Sequence, residues 1–149
     1  MPIEYWIDME RRLVVARGYG TFTPEDIFGY QRDVWSRPEV AGFDELVDMS
    51  GVEQIALPSP HRIQELAQLS AGMDPPASAS RFAIVAPAEL AFGLGRMYET
   101  YRALEDRSTK QVGVFRTMEQ ALEFLGVSGP LETSQLQTGG FGAKNPSGE

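Results

Sequence analysis

The sequence contains no cysteine and one histidine, and nowhere does it hold an apolar run of the roughly 18 residues that a membrane-spanning helix needs. Without cysteine there is no disulfide, no thiolate nucleophile and no zinc-thiolate site. A single imidazole leaves too few soft ligands for a typical transition-metal site, so no metal and no cofactor are expected. Positive charge is also in short supply. Thirteen basic residues stand against twenty-one acidic ones, a formal charge of −8, and that field repels phosphate backbones and anionic lipid heads alike. Nucleic acid is therefore not an expected partner, and any membrane contact would be weak and rest on apolar insertion. The opening "MPIEYWIDMERR" carries charge within its first ten residues and lacks the apolar core of a signal peptide. The expectation is a soluble, cytoplasmic protein.

What is present is the material of one α/β domain. The 149 residues match the usual size of a single domain. Ile3, Tyr5, Ile7 and Met9 alternate with Glu4, Trp6, Asp8 and Glu10, the period of a strand with one buried face. "RLVVARG" follows as its hairpin partner. "TPEDIFGYQRDVWSRP" then places Thr23 as cap and Pro24 at the first helical position, with Ile27, Tyr30, Val34 and Trp35 on one stripe. "ELVDM" reads as the third strand, followed by a linker. In "SPHRIQELAQLSAG" Ser59 caps, Pro60 starts and Gly72 ends a second helix. "RFAIVAP" suits a central strand covered on both faces. A long helical pattern runs from Pro87 to about Glu105, "KQVGVFRT" is the last strand, and Thr117, Gln120 and Gly126 bracket a final helix. Alternating strands and helices imply parallel crossovers, hence an α/β fold with a single-layer mixed sheet of about five strands and about four helices. Residues 1–126 form the domain. Residues 127–149 lack periodicity and are rich in small and polar types, so they read as a flexible C-terminal tail.

The order of these elements, with "LVDMSGV", "RFAIVAP", "FGLGRMYETY" and "VGVFRTMEQALEFL" in sequence, resembles the SpoIIAA-like, or STAS/SEC14-type, domain family over residues 3 to 125. The resemblance implies one of two roles. Anti-sigma-factor antagonists of this family are protein-interaction modules with a phosphorylatable serine at the start of the helix after the third strand, in an Asp-Ser-Ser-Gly type sequence. The corresponding stretch here is "IALPSPHR", without the acid or the paired serines, and proline flanks Ser59 on both sides. The other branch resembles small soluble proteins that hold an apolar ligand.

Two groups of residues are candidates for these roles. Ser50 and Ser59 bound the stretch from 50 to 60, which would be the regulatory loop of an interaction module. The plainer roles are a turn at Ser50 and Gly51 and a helix cap at Ser59. His61, in a first helical turn, meets the positive end of the dipole and is expected on the solvated surface. No G-x-S-x-G elbow is present, and His61 stands too near Ser59 in sequence for a triad, so no enzyme is expected. In "AELAFGLGRMYETYRAL", Gly93 and Gly95 interrupt a helix at a cost of about 1 kcal/mol each relative to alanine. Close packing on the sheet or on another subunit, as in a homodimer, would account for them. So would a gap lined by Phe92, Met97, Tyr98 and Tyr101, admitting a small apolar or amphipathic molecule whose carboxylate meets Arg96. Arg96 has Glu99 and Glu89 as alternative partners. Trp6 and Trp35 are candidates for an exposed apolar patch. The expected function is non-enzymatic binding of such a molecule in a cleft between strand ends and the helices at 59–71 and 87–105.

Overall fold

Short polar side chains start three of the four helices. Thr23 Oγ1 accepts from the Asp26 N–H at 3.3 Å while the Asp26 carboxylate accepts from the Thr23 N–H at 2.8 Å, a reciprocal cap that opens α1 (Pro24–Trp35). Ser59 Oγ accepts from Arg62 N–H at 3.2 Å to open α2 (Pro60–Gly72). Thr117 does the same for Gln120 N–H at the head of α4 (Met118–Leu125). α3 (Glu89–Ala103) starts without a side-chain cap. At the other end of α4, Gly126 takes φ +74°, the left-handed geometry a glycine adopts without a Cβ penalty. Gly72 does not act this way. It is the last residue of α2, and Met73 closes the helix in right-handed conformation.

The computed structural model describes residues 3–56, 59–127 and 137–138. Between the helices run β1 (Ile3–Asp8), β2 (Leu13–Phe22), β3 (Asp44–Ile55), β4 (Arg81–Val85) and β5 (Gln111–Phe115), with a 3-10 turn at Pro38–Val40. A two-residue strand, β6 (Gln137–Thr138), completes a mixed sheet in the order β5-β4-β3-β2-β1-β6. β2 to β5 are parallel neighbours, and β1 is antiparallel to both β2 and β6. This α/β architecture is the one expected from the alternation of elements. β6 was not anticipated. The remainder of the stretch beyond Val127, read from the sequence as a tail, lies outside the described residues. Among the described residues no helix is long and apolar enough to cross a membrane.

Both faces of the sheet are covered. Tyr5, Val14, Ala16, Val47, Phe82 and Ile84 point to one side and pack with α1, α2 and α3. Trp6, Leu13, Val15, Leu46, Ala83 and Val85 point to the other, where Ala121 and Leu125 of α4 meet them. Trp6 is thus a correction to the expected exposed patch: it is 7% exposed and belongs to the second core. Trp35 is half-buried and donates its indole N–H to Tyr30 Oη at 3.1 Å.

β3 corrects a second expectation. Instead of ending at Met49 it continues through Ser50 and Gly51 to Ile55, because β2 keeps pairing with it across two register shifts. Asp48 Oδ1 takes the N–H and the hydroxyl of Ser50 at 2.9 and 2.7 Å. On the β2 side of the second shift, Gly20 sits at φ +67°, a bulge conformation that suits glycine.

The two helical glycines have different reasons. A Cβ on Gly95 would lie 3.0 Å from Val114 Cγ1, so this glycine lets α3 settle on the sheet, whereas a Cβ on Gly93 would meet nothing within 4 Å. Gly93→Ala is expected to stabilise the fold by about 0.5–1 kcal/mol through helix propensity alone. Gly95→Leu is expected to destabilise it by about 1–3 kcal/mol through overpacking. Urea unfolding of the two variants beside the parent checks both signs.

Candidate functional site

Where α1, α2 and α3 cross the sheet they do not close completely. A hollow of about 110 Å³ remains. The sheet supplies Phe22, Val47, Phe82 and Ile84, α1 supplies Ile27 and Phe28, α2 supplies Ile63 and Leu66, and α3 supplies Ala91, Leu94 and Gly95. Its rim is formed by Thr23 and Pro24 at the head of α1, by Arg62 in the first turn of α2, and by Met49, Ile55 and Ala56 at the end of β3. The Arg62 guanidinium lies 4.3 Å from the centroid of the Phe28 ring and pairs with Glu65 at 2.9 Å and Glu25 at 3.8 Å. Exposed pairs of this kind contribute little to stability, so their effect here is to hold Arg62 across the rim.

The hollow's surface is almost wholly apolar, and a few residues with polar groups join it at its buried end. Tyr30, Gln31, Glu45 and Tyr98 meet there, on the near side of a buried network. Glu45 is in phase with Val47 on β3, so its side chain points into the helix-covered core and is only 3% exposed. It is matched by Lys110 Nζ at 3.3 Å and by the Tyr30 hydroxyl at 2.9 Å. Lys110 also lies 3.4 Å above the Trp35 ring. Beside this pair sits a second one. Arg102 donates to Asp74 Oδ2 at 2.6 Å, and the same oxygen accepts from the N–H groups of Thr109 and Lys110 at 2.8 and 3.1 Å. Arg102 reaches the Tyr98 hydroxyl at 2.6 Å and Ser70 Oγ at 3.0 Å, and those two hydroxyls are 2.7 Å apart. Buried charges are tolerated only when matched and hydrogen-bonded in this way.

The environment moves the protonation equilibria accordingly. Burial, reinforced by the Glu45 charge, pushes the Tyr30 phenol well above its ordinary range. Burial also raises Tyr98, against the opposing pull of Arg102. Burial lowers Lys110, and Glu45 only partly restores it. For Arg102, burial works against the charge, but Tyr98 and Asp74 outweigh it and the net direction is upward. A second, smaller hollow of about 30 Å³ adjoins the network, bounded by Gln31, Trp35, Glu45, Asp74, Arg102 and Lys110. Gln31 and Glu45 form part of the wall of both.

This arrangement of sheet and helices has a counterpart among solved structures. An uncharacterized protein of the DUF3478 family with a SpoIIAA-like fold, from Shewanella loihica PV-4, is similar to this chain at a TM-score of 0.52 and 16% sequence identity, over 83% of this chain and 93% of that one. The fold is SpoIIAA-like. At that identity the likeness concerns architecture and carries no activity with it. No protein-family model matches the chain, and no curated protein is similar enough to it to count as a match.

On the SpoIIAA-like framework the residues singled out from the sequence can be placed. Tyr98 lies at the inner end of the hollow. Phe92, Arg96, Met97 and Tyr101 do not line it, because the face of α3 turned to the sheet carries 91, 95 and 98. Phe92 is half-buried with the Arg116 guanidinium 3.9 Å from its ring centroid. Arg96 is exposed and pairs with Glu99 at 3.2 Å. Met97 and Tyr101 are half-buried. Ser50 stands within β3 and Ser59 caps α2, so the described part of the stretch from 50 to 60 is mostly strand and helix end. His61 is 74% exposed and meets Glu65 at 3.2 Å. Among the described residues no group of three or more histidine, cysteine, aspartate or glutamate side chains could hold a metal ion.

Sequence reasoning missed Gln31, Glu45, Asp74, Arg102 and Lys110. Arg102 left a signal: Ala91, Gly95, Tyr98 and Arg102 recur at helical spacing and all four are buried.

Proposed function

We propose that this SpoIIAA-like domain binds a small apolar or amphipathic molecule, without transforming it, in the hollow between the sheet and α1, α2 and α3. The observation that carries this reading is the hollow itself. About 110 Å³ of space lined almost wholly by apolar groups stays open between sheet and helices, and covering such surface with an apolar ligand is favourable. The walls are aliphatic and aromatic, with Met49 as an adaptable element at the rim, and the mouth lies beyond the C-terminal end of β3. The crevice outside the carboxyl ends of parallel strands is where open α/β sheets receive ligands.

The test is native mass spectrometry of freshly purified full-length protein, with extraction of any retained molecule, followed by thermal melts against short-chain alcohols, fatty acids and small aromatics. A retained mass or a clear upward shift in Tm is the expected result. Ala91→Leu, which fills part of the hollow from α3, should abolish the shift while leaving the unliganded Tm unchanged or higher. A bare mass together with no shift across the panel sinks the reading.

A further inference from the structure

We infer that the ligand is neutral, carries a hydroxyl group, and sits with that hydroxyl inward against Gln31 and Glu45. The inference rests on the binding reading above and adds the chemical class and the orientation. At the inner end of the hollow the hydrogen-bond capacity is unevenly used. The Tyr30 hydroxyl is fully engaged, donating to Glu45 at 2.9 Å and accepting from Trp35 at 3.1 Å. The Tyr98 hydroxyl is held by Arg102 and Ser70 at 2.6 and 2.7 Å. Neither has a donor to spare for a ligand.

Acceptors are left over. A carboxylate offers about four acceptor positions, and Glu45 receives one bond on each oxygen, from Tyr30 and from Lys110. Gln31 is 8% exposed, and its one hydrogen bond among the described residues is a long N–H contact of 3.6 Å to Met73 Sδ. Its carboxamide oxygen takes no hydrogen bond from the described residues, and the side chain lines both hollows. An acceptor left open in this way has room for a donor, so the position favours a ligand that supplies one.

Charge selects among donors. An ammonium group here would approach Lys110, already 3.3 Å from Glu45. A carboxylate would approach Glu45 itself. A neutral hydroxyl meets neither repulsion. The hollow's 110 Å³ is below the roughly 150 Å³ of a dry engineered cavity that binds benzene, so one ring or a short chain is the fitting body. A phenol or a short aliphatic alcohol satisfies all three conditions.

The deciding experiment is NMR titration of the full chain with phenol, toluene and benzoate, reading side-chain resonances of residues lining the hollow. Transfer from water alone favours toluene over phenol, because the hydroxyl resists burial. The expected result is the reverse order, with phenol tighter by about 3–10-fold, the range of one hydrogen bond, and benzoate weakest. Gln31→Met, close in volume, should restore toluene as the tighter ligand. Should that variant not fold, the ranking on the unaltered protein decides by itself. Toluene or benzoate binding tighter than phenol overturns the inference and leaves the binding reading standing. So does an unchanged ranking in folded Gln31→Met. If none of the three perturbs the hollow, both readings fall.

Discussion

Asp74→Ala is expected to lower the unfolding free energy by about 3–5 kcal/mol, the range found when one partner of a buried ion pair is removed. Arg102 is 2% exposed, and without Asp74 it keeps hydrogen bonds to Tyr98, Ser70 and Ser108 but has no other ion-pair partner among the described residues. The Thr109 and Lys110 amides lose their acceptor in the same step, and each buried N–H left without one adds to the loss. Asp74→Asn, which retains a carbonyl for those amides, should fall between Asp74→Ala and the parent. Urea unfolding followed by circular dichroism gives the comparison, with an unchanged m-value showing that the native state is still compact. A loss below about 1 kcal/mol for the alanine variant would mean that water replaces the carboxylate.

Glu45→Met should cost a similar amount, about 3–5 kcal/mol, by leaving the Lys110 ammonium buried without its partner and the Tyr30 hydroxyl without its acceptor. Two further measurements separate the charge from the packing. The double variant Glu45→Met, Lys110→Met should recover most of the loss, since replacing both ions of a buried pair with apolar groups is often close to neutral. The single variant should also regain stability as the pH rises from 7 towards 10. Burial already holds Lys110 below its ordinary 10.5, and removing the carboxylate lowers it further. The folded state then releases the proton at a lower pH than the unfolded chain does, so the unfolded chain binds more protons in that window and stability climbs with pH. A pH-independent deficit, or a double variant no better than the single, would assign the loss to packing.

The sequence showed the backbone plan clearly and the chemistry poorly, for physical reasons visible at single residues. Thr23, Ser59, Thr117 and Gly126 announce helix ends because capping is local, decided within one turn. "RFAIVAP" announces a doubly covered strand because its apolar run leaves no polar face, and β4 is buried on both sides from Phe82 onward. The continuation of β3 past Ser50 was not legible. Polar residues from 50 to 54 look like a linker, and only pairing with β2, more than thirty residues earlier in the chain, makes them a strand. The hollow has the same difficulty. Its lining comes from strands and helices spread along the chain, so a search within the α3 sequence found Tyr98 and otherwise named residues on other faces of the helix. Glu45 and Lys110 look like ordinary surface charges at the ends of strands until the fold places them 3.3 Å apart.

The length of β3 has a mechanical consequence. Its pairing with β4 stops at Asp48, while its pairing with β2 runs on to Ile55. The outer part of the strand is therefore tethered along one edge only, in a two-stranded ribbon weakened by the two register shifts, and such ribbons are marginal by themselves. Amide hydrogen exchange should be faster there than in Leu46 or Val47, which are held from both sides. Because Met49, Ile55 and Ala56 border the mouth, flexing of this ribbon would widen the opening while the rest of the sheet stays paired.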